Sequence, residues 1–120
     1  MAPTHRYPRG VLVSCEIPWD ERDQLVEDVF REEVRRFLAL GFRHIYIFGT
    51  AGEGYAVDGF RFRQISQIFY EETRGKDVLP QVGIIGLSTP IIRERIDAAY
   101  DLGFRVFQIS LPSWGALNDR

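Results

Sequence analysis

The sequence contains very little lysine, cysteine and histidine. Of its 15 basic residues, 14 are arginine and one, Lys76, is lysine. Any chemistry that needs a lysine amine therefore has Lys76 as its one candidate. The single cysteine, Cys15, excludes an internal disulfide. The two histidines, His5 and His44, lie far apart in the chain, so no metal site is predicted and no cofactor is expected.

Long apolar runs and an excess of one charge are also missing. No segment reaches the length of a membrane span, and Met1–Pro8 lack the apolar centre of a signal peptide. The net charge of −2 gives no reason to expect nucleic acid or an anionic membrane as a partner. A composition with 45% hydrophobic and 27% charged residues is typical of a globular protein. We expect a cytoplasmic protein with a flexible leader, residues 1–9, and one domain, residues 10–120.

Apolar strand-like segments alternate with amphipathic helix-like segments along this domain. The pattern predicts strands over Gly10–Ile17, His44–Phe48, Leu79–Ile85 and Arg105–Leu111. It predicts helices over Glu21–Leu40, Phe60–Thr73 and from Ser88–Thr89 to Gly103, with Asp20 and Ser88 or Thr89 as N-caps and Pro90 in the third helix's first turn. This alternation indicates an α/β fold with parallel strands.

A short internal echo suggests how the units repeat. Leu40–Arg43 reads Leu-Gly-Phe-Arg, as does Leu102–Arg105, and the offset of 62 residues equals two units of 31. A period near 31 residues fits a TIM barrel, in which eight units occupy ~250 residues. A doubly wound fold produces similar spacing, so the pattern alone leaves both folds open.

Small residues and one hydroxyl follow the second strand: Gly49, Thr50, Ala51, Gly52 and then Glu53. Glycine at a strand end lets the backbone approach a ligand closely. The segment resembles the Gly-Thr-Thr-Gly-Glu signature of the dihydrodipicolinate synthase / N-acetylneuraminate lyase family. Supporting matches occur in the same order along residues 10–120: Pro18–Asp20, Leu79–Gly86 with Ser88–Thr89, and Pro112–Trp114.

The resemblance implies a (β/α)8 barrel, of which this chain would be the N-terminal half with about four βα units. Family members form a Schiff base between a lysine and a 2-keto acid, usually pyruvate, and make or cleave a carbon–carbon bond. The resemblance places the keto acid's carboxylate against Gly49, Thr50, Ala51 and Gly52, and Thr50 at the proton-relay position. It also implies a homo-oligomer in the full-length form.

The chain departs from the family pattern at three places. Ala51 replaces a threonine and loses one hydroxyl. Trp114 stands where many members have a tyrosine that reaches a neighbouring subunit, and an indole N–H only donates hydrogen bonds. Lys76 precedes the third strand and is therefore expected at the barrel end opposite the Thr50 turn. The lysine-bearing strand is absent from this sequence, so the chain alone is expected to be an inactive fragment; the alternative is a non-catalytic keto-acid-binding or oligomerising half-barrel.

Simpler interpretations remain open for the residues near this turn. Thr50 could be only a turn residue on the way into a helix. Glu16, at the end of the first strand, could be an acid near the site, although pairing with an arginine is the simpler expectation. Cys15 is expected to be a small buried apolar side chain, because no histidine is spaced to activate it.

Overall fold

The computed structural model describes residues 6–110 of the chain. These residues form four strands and three α-helices in strict alternation. The strands are β1 (Leu12–Ser14), β2 (His44–Ile47), β3 (Leu79–Ile85) and β4 (Phe107–Ser110), and the helices are α1 (Glu27–Ala39), α2 (Gly59–Thr73) and α3 (Thr89–Leu102). A short 3-10 turn, Gly54–Ala56, precedes α2.

All neighbouring strands pair in parallel, in the order β1-β2-β3-β4. In a doubly wound sheet, the order of the strands reverses at a switch point. A sequential order with right-handed crossovers instead places all three helices on one face of the sheet. This is the arrangement of half a TIM barrel, and the doubly wound alternative is excluded.

The core lies between the sheet and its helices. Alternate strand residues face the helices, and Ile45, Ile47, Val82 and Ile84 are fully buried there. The helices contribute the buried side chains Phe30, Val34, Phe62, Ile65, Phe69 and Ala99. Because the alternate residues of each strand point the other way, the opposite face of the sheet corresponds to the barrel interior.

The middle of the chain agrees closely with the predicted pattern. Strand β3 has the predicted limits, and α2 ends at the predicted Thr73. Ser88 caps α3 by accepting a hydrogen bond from the Ile91 N–H, and Pro90 lies in the first turn. Gly41 and Gly103 end their helices with positive φ angles of 85° and 125°, as expected for glycine after a helix.

The predicted start of the first helix is wrong. Helix α1 begins at Glu27 rather than Glu21, and its N-cap, Val26, makes no side-chain capping bond. Asp20 is not a cap, because its Oδ1 accepts the N–H groups of Arg22 and Gln24 at 2.8 and 2.9 Å in the preceding loop. Backbone hydrogen bonds within that loop keep it from adopting helical geometry, so the helix begins more than one turn later than predicted.

The two outer strands are shorter than predicted within the described residues. Strand β1 has three residues, because its register with β2 covers only those positions. Strand β4 begins at Phe107 instead of Arg105. The Arg105 guanidinium lies 3.9 Å from the centre of the Tyr100 ring and donates to the Tyr100 carbonyl, which attaches this residue to the end of α3. The predicted strand end at Leu111 lies outside the described residues.

An ion network joins α1 to α2. Glu72 accepts hydrogen bonds from Arg35 at 2.8 and 2.9 Å and from Arg31 at 2.8 Å, and its side chain is only 10% exposed. Arg31 also pairs with Glu71 and Glu27. The hydrogen bonds from Arg35 and Arg31 lower the pKa of Glu72 below its ordinary value. Glu72 therefore links both arginines of α1 to α2.

Replacing Glu72 by glutamine is expected to lower the free energy of unfolding at pH 7 by about 1–2 kcal/mol, because the guanidinium groups lose a shared, largely buried anion. The pKa of Glu72 is lower in the folded state than its ordinary value of about 4.5. Its contribution to the free energy of unfolding is therefore complete above about pH 4.5 and is lost as the pH falls through the folded-state pKa. Urea unfolding at pH 7 and over a series of decreasing pH values below 4.5 measures both effects.

The matched control is Glu32→Gln. Glu32 pairs with Arg36 at 3.0 Å, but both side chains are more than half exposed. An exposed pair contributes less than about 0.5 kcal/mol on a helix. Equal losses in the two variants, or a Glu72→Gln deficit that does not shrink as the pH is lowered below 4.5, would contradict the special role of Glu72.

Candidate functional site

The Gly49–Glu53 turn lies at the C-terminal end of β2, the end at which barrel active sites are found. Its backbone closes on itself: the Glu53 N–H donates to the Thr50 carbonyl and the Gly54 N–H to the Gly49 carbonyl, both at 3.1 Å. The 3-10 turn and the N-cap of α2, Asp58, follow directly. The strand end and the helix start thus fix the turn from both sides.

Phe48 sets the direction in which the chain leaves β2. Its φ angle is +64°, a left-handed conformation that is uncommon for a bulky residue. Its ring is almost completely buried and stacks on Phe62 of α2, with the ring centres 5.0 Å apart. Burial of the ring keeps this backbone conformation in place and turns the following residues across the top of the sheet.

Close approach of the turn to its neighbours requires glycine at Gly52. A Cβ atom at this position would lie 2.9 Å from the carbonyl oxygen of Cys15, which follows β1. Gly49 packs against a side chain instead: a Cβ atom there would lie 2.5 Å from Cε2 and 2.9 Å from the hydroxyl of Tyr46, so a substitution would require that ring to move. The glycines of the resemblance motif therefore let the turn pack directly on β1 and on Tyr46.

The polar groups of Thr50 and Ala51 are available to a ligand. Both residues are exposed. Within residues 6–110, neither their N–H groups nor the Thr50 hydroxyl forms a hydrogen bond. Two N–H donors and one hydroxyl at a glycine-rich turn are suited to bind a carboxylate, and the alanine at position 51 contributes only its backbone donor.

Sequence reasoning missed a polar row on the interior face below the turn. The strand register aligns Ser14, Tyr46 and Gln81 across β1, β2 and β3. The Ser14 hydroxyl is buried and has no hydrogen-bond partner in the described part of the chain. Gln81 is only 6% exposed. Their alternation with buried isoleucine and valine was the available signal, since alternate strand residues share a face.

Two residues at the end of β1 have clear structural roles. Cys15 is fully buried, and burial raises the pKa of its thiol, which agrees with the prediction of an apolar packing residue. Glu16 takes part in none of the ion pairs within residues 6–110, so the expected arginine partner is wrong there. Its backbone N–H donates to the Glu33 carboxylate at 2.9 Å. Partial burial and the nearby Glu16 charge raise the pKa of Glu33.

The chain's lysine does not approach the turn. Lys76 lies between α2 and β3, at the N-terminal end of that parallel strand, whereas Thr50 follows the C-terminal end of β2. Trp114 lies outside the described residues. In residues 6–110 no group of three or more potential ligand side chains is placed to hold a metal ion, and no helix is long and apolar enough to cross a bilayer.

A large groove in the described part of the chain includes none of the turn residues. It has a volume of about 820 Å³ and lies between the segment that follows β1 and helix α1, with Ile17, Val29, Phe37 and Leu40 among its lining residues. A smaller groove of about 280 Å³ lies beside the turn, lined by Trp19, Asp23, Glu53, Ala56 and Arg61.

Relatives were found by sequence. The chain is 30% identical over 97 residues to the N-acetylneuraminate lyase of Citrobacter koseri. The matched segment covers 80% of this chain and 32% of that enzyme. The lyase of Salmonella agona is 29% identical over the same length. The chain thus spans about one third of the length of the curated relatives it matches. No protein-family model matches the chain.

Solved structures share the fold at lower identity. Dihydrodipicolinate synthase from Oceanobacillus iheyensis superposes with a TM-score of 0.82 at 22% identity, over 90% of this chain and 36% of that one. A prophage protein of the dihydrodipicolinic acid synthase family from E. coli K12, solved in complex with pyruvate, gives a TM-score of 0.85 at 14% identity, over 91% and 36%. These superpositions confirm the predicted half-barrel fold.

Proposed function

Since the chain belongs to the dihydrodipicolinate synthase / N-acetylneuraminate lyase family and corresponds to the N-terminal part of its members, we propose that its Gly49–Glu53 turn binds the carboxylate of a 2-keto acid such as pyruvate. In the whole protein this turn would serve a lyase or aldolase that forms a lysine Schiff base and makes or cleaves a carbon–carbon bond. The donors of Thr50 and Ala51 carry the proposal, because they are exposed and have no partner within residues 6–110.

The roles of the turn residues follow from their positions. The Thr50 and Ala51 N–H groups and the Thr50 hydroxyl would hold the two carboxylate oxygens, and the Thr50 hydroxyl would also pass a proton during the reaction. Gly49 and Gly52 would bring the backbone close enough to do so. Trp114 is proposed to lie at a subunit interface of a homo-oligomer.

The covalent step is proposed to require a lysine outside this sequence. A Schiff base forms when an uncharged lysine amine attacks the keto carbon and water leaves, and the amine must be close to the bound carboxylate. Lys76 is at the opposite end of the strands from Thr50. We therefore propose that the 120-residue chain binds the keto acid without forming the adduct.

Replacing Thr50 by valine is expected to weaken pyruvate binding to the chain about fivefold, because the variant keeps the side-chain shape and loses one hydrogen bond of roughly 1 kcal/mol. Ala51→Thr should strengthen binding by a similar factor by restoring a hydroxyl to the turn. Chemical-shift titration of the ¹⁵N-labelled chain with pyruvate measures both affinities, and the Thr50 and Ala51 amides should shift most.

Thr89→Val is the matched control, since Thr89 is exposed at the start of α3 and should not affect binding. Borohydride treatment with pyruvate, followed by mass spectrometry, tests the covalent step. Shifts that avoid the turn would contradict the binding proposal. A reduced pyruvyl adduct on this chain would contradict the proposal that it is inactive alone.

A further inference from the structure

Arg95 of α3 is a half-buried cation held by main-chain carbonyl groups. Its Nη1 donates to the carbonyls of Ile85 at 2.9 Å and Gly54 at 3.3 Å, and its Nη2 donates to the carbonyl of Val57 at 2.6 Å. Within residues 6–110 no carboxylate oxygen lies within 4.0 Å of it. Burial lowers the pKa of this guanidinium. The carbonyls therefore replace the solvent that the cation loses.

These carbonyls belong to different segments of the barrel top. Ile85 is the last residue of β3, and Gly54 directly follows the Gly49–Glu53 turn. Val57 precedes Asp58, the N-cap of α2. One side chain thus connects the end of the turn to the strand beside it and to the helix behind it. The planar guanidinium provides donors in several fixed directions, which a lysine ammonium on its single nitrogen does not reproduce.

Arg95 also supports the aromatic pair that fixes the turn's entry. Its guanidinium carbon lies 5.3 Å from the centre of the Phe62 ring, within the range of a cation–π contact. Phe62 stacks in turn on Phe48, the residue with the left-handed backbone. A strained conformation of this kind persists only where its surroundings hold it. Arg95 therefore contacts the residues that follow the turn and braces the residue that precedes it.

We propose that Arg95 is the positioning residue that holds the Gly49–Glu53 turn in the orientation that presents the Thr50 and Ala51 donors. Its carbonyl contacts fix the exit of the turn, and its contact with Phe62 stabilises the entry through Phe48. The fixed orientation is a property of the chain itself. Its consequence for keto-acid affinity rests on the function proposed above.

Hydrogen exchange of the ¹⁵N-labelled chain tests the orientation without a ligand. In Arg95→Met, which keeps an apolar stem, the amides of Glu53, Gly54 and Ala56 should exchange about tenfold faster relative to Val82 in the sheet. Arg95→Lys should recover only part of the protection. Arg93→Met, at an exposed position of the same helix, should change the exchange rates of neither the turn amides nor the sheet amide of Val82. An unchanged ratio between turn and sheet amides in Arg95→Met would overturn the proposal.

Pyruvate titration then tests the consequence for binding. Arg95→Met should bind pyruvate about threefold to tenfold more weakly, because part of the binding energy is used to order the turn, while Arg93→Met should bind as the unmodified chain does. If the unmodified chain binds no pyruvate, the proposed function fails and the exchange result still decides the role of Arg95. Equal affinity in a variant with a loosened turn would overturn the link between position and binding.

Discussion

Replacing Gly54 by alanine is expected to lower the free energy of unfolding by about 3 kcal/mol, near the upper range for overpacking a rigid site. A Cβ atom at Gly54 would overlap the carbonyl group of Phe48 and lie 2.8 Å from the Phe48 Cβ. The overlapping atoms are mainly backbone, and the backbone of Phe48 is already in a left-handed conformation. No flexible side chain is available to move aside. Urea unfolding followed by circular dichroism measures the loss.

Gly59→Ala is the matched control for this substitution. Gly59 is the first residue of α2, and a Cβ atom there would meet only the Arg63 Nη1 at 3.4 Å and the Glu94 Oε1 at 4.0 Å. Alanine favours a helix over glycine by up to about 1 kcal/mol, so this variant should be neutral or more stable. A Gly54→Ala variant as stable as Gly59→Ala would show that the end of the turn relaxes freely.

Local signals in the sequence were sufficient for the interior of the fold. Strand β3 is a continuous apolar run between breaking residues, and Ser88 with Pro90 is a strong helix start, so both were placed correctly. The start of α1 was predicted wrongly, because an aspartate that can cap a helix can equally accept hydrogen bonds within a loop. Only the bonds from Arg22 and Gln24 to Asp20 decide between these uses.

The sequence predicted the position of the candidate site but not all of the contacts that hold it. The order of small residues after β2 identified the Gly49–Glu53 turn, since glycine spacing is a local property. Arg95 gave no such signal, because an arginine in an amphipathic helix usually faces solvent. Its role depends on carbonyls that lie 10 to 41 residues away in the chain. Contacts of that range follow from the packing of α3 against the barrel top, which the helical pattern alone does not specify.

Because the backbone of Phe48 is left-handed, we expect alanine and glycine at this position to have the opposite order of stability from that inside a helix. Phe48→Ala should lose about 3–4 kcal/mol of stability, because it removes a fully buried ring and its stacking on Phe62. Phe48→Gly removes the same ring and also the steric cost of a Cβ atom at positive φ, which is roughly 1 kcal/mol or more. We therefore expect Phe48→Gly to be at least as stable as Phe48→Ala.

Phe62 provides the internal comparison, since it is the other ring of the same stack but lies within helix α2. There glycine should be less stable than alanine by about 1 kcal/mol, because glycine is unfavourable inside a helix. Urea unfolding of the four variants in a stabilising osmolyte keeps the weakest of them measurable. If glycine is as unfavourable at Phe48 as at Phe62, the backbone at Phe48 is not strained. The expected opposite order would show that the Phe48 backbone carries a steric cost, which the unmodified protein tolerates because burial of the ring outweighs it.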